Sequence, residues 1–405
     1  MTSETLTAED VTIPQEGSYI KRVILSCMVG NALEWYDFAL YGYFATTIGS
    51  LFFPKFSTVA SLLATFGIFA AGFIMRPLGG AIFGHIGDKI GRKNALLWSI
   101  YLMAIPTTLI CLLPTYEQIG WLAPLLLTFI RLAQGLSMGG EFTGSMVFVV
   151  ENAQQGNRGL DGSWVVFSLL IGILVGSAVA TTTCYLLSED SLMSWGWRIP
   201  FLMSMVGGFI ESIMRHTLRE PEEFTQAKIH HKELAAPVKK SFKHHAKTIA
   251  YVVTIELALA ISFYLIVTFI NNFLTAFLEM DKVTSLRMTS ISMIAMGIAI
   301  LFGGWLSDKI GRKAVLIPSG LGFAFFSYPL FLGLESSFEG ALLAQIALSL
   351  IMGVFFAPFI ATSLIHLTNN NAAPALYLSV ASVISVIALF FMKDGYREKI
   401  EEASS

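Results

Sequence analysis

The chain has 405 residues, of which 55% are hydrophobic and only 13% charged, and its mean hydropathy is +0.67. Soluble globular domains carry a charged share near a quarter, so the composition excludes a soluble domain. A net charge of -2 with no basic stripe and no interleaved aromatics speaks against a nucleic-acid partner.

A helix crosses a bilayer in roughly 20 predominantly apolar residues, because every backbone polar group must be satisfied within the segment. Eleven stretches qualify, at 21-51, 58-84, 95-113, 121-150, 163-187, 198-214, 248-278, 285-305, 314-334, 340-367 and 375-392. The expected fold class is an all-α membrane protein and the expected partner is the lipid bilayer. Ahead of the first stretch, Met1 to Gly17 is polar and acidic, without the basic n-region, apolar core and cleavage site of a signal peptide. Short cytoplasmic loops carry the excess of Lys and Arg. Here that excess lies at Asp88 to Lys93, at Asn157-Arg158 and at Arg215 to Lys247, whereas 53-55, 114-117 and 188-190 are poor in it, so the N-terminus is placed inside.

Charges within spans are costly, by roughly 3 kcal/mol each, which makes them functional candidates. The first span holds Glu34, Asp37 and Tyr41 at i, i+3, i+7 on one helix face. Its aromatics Trp35, Tyr36, Phe38, Tyr41, Tyr43 and Phe44 either offer faces to a quaternary ammonium or pack helices. After the second span comes Gly84-His85-Ile86-Gly87-Asp88-Lys89-Ile90-Gly91-Arg92-Lys93. In the fourth span Arg131, Gln134, Met138 and Glu141 share a face, with Gly135, Gly139 and Gly140 leaving room for a neighbour. The polar faces of spans one and four are expected to meet. A carboxylate there can exchange a proton as access alternates, or can serve as half of a structural ion pair.

The fifth span is Gly-rich at Gly172 to Ser177 and carries no Pro there. The polar linker 215-247 includes His230-His231 and His244-His245, whose spacing is not that of a ligand set facing one side of a helix. No metal site is expected from it. Asn271 and Asn272, midway along the seventh span, either face a cavity or join helices. Behind the eighth span Gly304-Trp305-Leu306-Ser307-Asp308-Lys309-Ile310-Gly311-Arg312-Lys313 repeats the earlier motif, with six consecutive identical residues. Two related bundles are therefore expected. In each copy glycines allow the turn and the Asp can meet a helix N-terminus, which makes Gly84, Asp88, Gly91, Arg92, Gly304, Asp308, Gly311 and Arg312 candidate residues of a conformational loop. Cys27, Cys111 and Cys184 are far apart in apolar stretches and read as packing residues. No Walker loop, catalytic triad or metal-ligand set appears, so neither an enzyme nor a cofactor is expected.

Both repeat copies fit the loop signature of the major facilitator superfamily, which the chain resembles. Asn31 to Phe38, Arg76 to Gly80, Gln134 to Glu141 and Trp195 to Phe201 resemble its metabolite:proton symporter family, with the nearest likeness to bacterial proline/betaine transporters. The resemblance implies a major facilitator fold of two helical bundles in the inner membrane, working on a small-molecule solute and protons. Proton symport of proline or glycine betaine is the implied function. A dicarboxylate or citrate is the alternative solute, and a degenerate carrier that does not cycle is the alternative class. The resemblance carries substrate-binding and coupling roles to Glu34, Asp37, Arg131 and Glu141, to which Tyr41, Gln134 and Asn271 are added as candidates. The missing Gly-Pro signature in the fifth span leans towards symport.

The implied organisation is a cytoplasmic tail at 1-20, a six-helix bundle at 21-214, a basic linker at 215-247, a bundle at 248-392 and a tail at 393-405, acting as a monomer. Family members have twelve spans. Here 340-367 reads as two half-spans fused into one, which leaves five in the second bundle and puts the tail outside.

Overall fold

A computed structural model describes residues 16–53, 58–154, 156–220, 262–263, 265–276 and 278–352. Among them all regular structure is helical. The principal helices are α1 (Glu16–Tyr43), α2 (Thr58–Ile90), α3 (Arg92–Leu112), α4 (Leu122–Asn152), α5 (Arg158–Leu186) and α6 (Arg198–His216), then α7 (Ile270–Ala276), α8 (Lys282–Ile310), α9 (Arg312–Gly333) and α10 (Phe338–Ile351). Short helices at Ala45–Phe52, Tyr116–Ile119 and Glu189–Ser191 follow α1, α3 and α5. The eleventh expected span, the fused segment beyond residue 352, most of the linker and most of the seventh span lie outside the described residues.

Six of the described helices are long and apolar enough to cross a membrane. α1 and α6 stand outside that set; their apolar runs are interrupted by Glu34 and Asp37 and by Glu211 and Arg215. The outer surface is apolar, with Ile74, Trp98, Phe129 and Phe325 all more than half exposed, as a surface facing lipid requires.

Small residues set the spacing inside the first six helices. α2 and α4 pack together so closely that a Cβ on Gly135 would strike the backbone of Gly72, and one on Gly139 the backbone of Arg76. The fifth-span glycines serve the same end, since a Cβ on Gly172 would meet the carbonyl of Ala32 on α1. Asn31 Nδ2 donates to Val165 O at 2.6 Å and to Ser168 Oγ at 3.0 Å, tying α1 to α5. A continuous apolar cluster joins α1 and α5 to the second half, through Trp35, Phe38, Leu169 and Ile173 against Phe263, Phe269, Phe273, Met288 and Met293.

The repeated motif is not the loop expected from the sequence. α2 runs on through Asp88 to Ile90 and α3 begins at Arg92, leaving Gly91 alone as the connection, at φ 123°. The second copy does the same at Gly311, φ 92°, between α8 and α9. One residue in the left-handed half of backbone space is enough to reverse the chain, and glycine enters that region without a steric cost. Of the three cysteines, Cys27 and Cys111 are buried and Cys184 is exposed.

Candidate functional site

Among the described residues of the first six helices, six acidic or basic side chains are buried, each at most 3% exposed: Glu34, Asp37, Arg131, Glu141, Glu211 and Arg215. Four of them were expected from the sequence. The structure places three of those four in two hydrogen-bonded arrangements and leaves Glu34 between them.

The first centres on Asp37. Thr107 Oγ1 on α3 donates to its Oδ2 at 2.8 Å, and the Ser204 hydroxyl on α6 donates to its Oδ1. Gln134 Nε2 on α4 donates to Thr107 Oγ1 at 2.6 Å, and Arg131 Nη1 donates to Gln134 Oε1 at 2.9 Å. Arg131 and Asp37 are thus joined through two intermediaries and make no direct ion pair. The Arg131 guanidinium lies over the Tyr41 ring, 3.5 Å from its centroid, and 5.3 Å from that of Phe38, while the Tyr41 hydroxyl donates to Thr65 O at 3.3 Å. Tyr41 and Phe38 therefore present their faces to the protein's own cation. Trp35 does likewise for Arg76, at 5.7 Å.

The second arrangement centres on Arg215, which the sequence reading placed in the linker. The structure continues α6 through His216 and buries Arg215 completely. Its guanidinium pairs with both oxygens of Glu141, with Nη1–Oε2 at 3.0 Å, and with Glu211 Oε1 at 2.9 Å one helical turn earlier. Ser99 and Ser145 hydroxyls also donate to Glu141, at 2.6 and 2.9 Å. Gly30 on α1 leaves the space, because a Cβ there would overlap the Glu211 carboxylate. Glu141, on the same helix as Arg131, takes Arg215 of α6 as its bidentate partner.

Glu34 sits between the two arrangements. Its carboxylate accepts no hydrogen bond and its cation is Arg76 of α2, at 3.8 Å. A small cavity of about 20 Å³ is lined by Glu34, Asp37, Glu141 and Glu211 together with Gly30 and Ser204. Sites for small solutes run from roughly 300 Å³ upward, so this cavity is sized for water rather than for a transported molecule.

Asn271 turns away from these groups: Ser285 Oγ on α8 donates to its Oδ1 at 2.7 Å, so it joins α7 to α8. The side chains of Asn272, Asp88 and Arg312 lie outside the description. Asp308 meets a helix N-terminus as expected, and the helix belongs to the other bundle. The N–H groups of Gly159 and Leu160, at the start of α5, donate to its two carboxylate oxygens, each at 2.8 Å. Gly304 packs against Gly159 and Ser163 beside it. Arg92 pairs with Glu151 of α4 at 3.3 Å. Gly84 leaves open space around its Cα.

Glu211, Arg215, Arg76, Thr107 and Ser204 went unassigned in the sequence reading. A signal existed for the first two, since Glu and Arg at i, i+4 inside an apolar run make a pair on one helix face. None of the described His, Cys, Asp and Glu side chains forms a group that could hold a metal ion.

Residues 23–260 match the sugar (and other) transporter family. The glycine betaine/proline/ectoine/pipecolic acid transporter OusA of Dickeya dadantii is 31% identical over 439 residues, covering 98% of this chain and 87% of that one. That alignment is longer than the chain, so the relative holds residues with no counterpart here. A citrate-proton symporter of Klebsiella pneumoniae is 33% identical over 91% of each chain. Among solved structures, the major facilitator proton:xylose symporter XylE superposes with a TM-score of 0.68 at 18% identity, covering 93% of this chain and 88% of that one.

Proposed function

We propose, for a chain that belongs to the sugar (and other) transporter family of the major facilitator superfamily, that it imports proline or glycine betaine by proton symport. It is a multi-pass protein of the inner membrane. The observation that carries the reading is the chain Arg131–Gln134–Thr107–Asp37, which puts a buried carboxylate under the control of a cation on another helix. A carboxylate so placed binds a proton when its surroundings are dry and releases it when water reaches it. Glu34 and Glu141 add acidic groups beside it, and the Asp308 contact at the cytoplasmic end of the seam between α5 and α8 is the part that must open and close.

A citrate or dicarboxylate solute is the second reading. It is favoured by the likeness to the citrate-proton symporter and by the arginines Arg76 and Arg131, whose forks suit carboxylates. The transporter acts as a monomer in the bilayer, with bundles at 21-214 and 248-392 joined by the linker 215-247.

Reconstituted protein with an imposed proton gradient decides the matter against a panel of proline, glycine betaine, citrate and α-ketoglutarate. Proline or betaine should accumulate and a protonophore should abolish the accumulation. Uptake undiminished after collapse of the gradient, or strictly dependent on sodium, would overturn symport with protons. Uptake of none of the panel by correctly inserted protein would favour the non-cycling carrier.

A further inference from the structure

Among the described side chains of the first six helices, the buried charges do not balance. Four carboxylates, Glu34, Asp37, Glu141 and Glu211, face three guanidiniums, Arg76, Arg131 and Arg215. The other titratable side chains packed nearby are Cys27, Tyr36 and Tyr41 on α1 and Cys111 on α3, all four buried and all neutral in their ordinary state near pH 7. With every acid ionised the set holds one net negative charge, in a place where an unpaired charge is not tolerated. A single proton restores neutrality.

The geometry also says where that proton can move. Glu34, Asp37, Glu141 and Glu211 all belong to the lining of the same cavity, whose volume of about 20 Å³ holds one water; roughly 10–15 Å³ is enough for that. Two of the four have strong hydrogen-bond donors, Thr107 and Ser204 on Asp37 and Arg215 with Ser99 and Ser145 on Glu141, while Glu211 has Arg215 as an ion-pair partner at 2.9 Å but its Oε1 accepts no hydrogen bond. Glu34 has none, and its oxygens are buried and unbonded beside the cavity. A carboxylate in that situation gains most from a proton of its own or from the hydrogens of a bridging water.

We propose that Glu34, Asp37, Glu141 and Glu211 share one exchangeable proton around a water-filled cavity inside the first bundle, and that Glu211, with Arg215, belongs to the proton-coupling machinery. The proposal rests on the symport reading and deepens it. The proton comes from bulk water on one side, forms an O–H bond on one carboxylate of the set, and returns to water on the other side. Nothing is oxidised or reduced. One proton moves per solute because the set is short of one positive charge. Glu211 binds no solute in this scheme; it sets the charge that the proton must cancel.

The test reads the proton directly. In purified protein reconstituted without solute at neutral pH, infrared spectroscopy should show the carbonyl stretch of one protonated carboxylic acid, shifted in heavy water. Exposed acids are ionised at that pH and contribute none. Glu211→Gln and Glu34→Gln should each remove the band, because either leaves three acids to three arginines. In proteoliposomes with the membrane potential clamped at zero, the wild type should accumulate solute about tenfold per pH unit, and Glu211→Gln should fall to equal concentrations on the two sides. Glu211→Asp should restore both the band and the accumulation, which a purely space-filling role would not require. Absence of the band from the wild type overturns the proposal whatever the variants do, as does a band that persists in both glutamine variants. If the band behaves as expected and no solute accumulates, the shared proton stands and the solute assignment falls.

Discussion

At the scale of single residues, the arrangement around Asp37 is a chain in which each member leans on the next. Gln134 is its middle link, accepting from Arg131 and donating to Thr107. Gln134→Leu keeps the volume and leaves two buried donors or acceptors unpaired, at a cost of about 1–3 kcal/mol for each. Proton-driven accumulation should fall at least tenfold in this variant, and Asp37→Asn and Arg131→Ala should abolish it with insertion intact. Near-normal uptake in all three would return the chain to a packing role. Glycines matter at the same scale. Gly135→Ala places a Cβ on the backbone of Gly72 and should cost about 1–3 kcal/mol through overpacking. A lowered unfolding temperature in detergent checks it, and an unchanged one would mean that α2 and α4 can part without loss.

Between elements, the contact that bears on cycling is the start of α5 against the end of α8. The first N–H groups of a helix have no partner within it, and here Asp308 accepts from two of them across the seam. Its removal affects the closed seam alone, so the open form gains relative to it. For Asp308→Asn the shift should be about 1 kcal/mol, or roughly fivefold in population. A cysteine at Ser163, in a background lacking Cys27, Cys111 and Cys184, should then react several times faster with a thiol reagent applied from the cytoplasmic side. Equal labelling rates in the two backgrounds would show that the contact does not hold the seam. The single-glycine connections at Gly91 and Gly311 keep consecutive helices rigidly oriented, which suits a motif that transmits position rather than one that flexes.

For the whole molecule, transport requires the two bundles to alternate about the seam that the large apolar cluster fills. Gly159 and Gly304 meet across this end of the seam, where a Cβ on Gly159 would stand 2.6 Å from the Gly304 carbonyl oxygen. Gly159→Ala should therefore keep this end from closing and lower uptake several-fold. Uptake at the wild-type rate would mean that transport does not need this contact to close. The alignment with OusA is longer than the chain itself, so that relative holds residues with no counterpart here; the fused span inferred from the sequence lies beyond the described residues.

Much of this was present in the one-dimensional pattern. Length and apolarity of the stretches dictate helices, because lipid leaves backbone groups no other partner, and the repeated Gly-to-Lys motif shows two related halves. The sequence also picks out Glu34, Asp37, Arg131 and Glu141, since a charge within a span is too costly to be incidental. It cannot say which charge meets which. Arg215 looks like the first basic residue of a linker until α6 is seen to carry it into the core, where it pairs with Glu141. Likewise the Asp308 carboxylate reads as a loop residue until folding brings α5 to it from 148 positions away. Pairing depends on distances between helices distant in sequence, and those follow from how glycines let the helices approach, which is a property of the packed molecule alone.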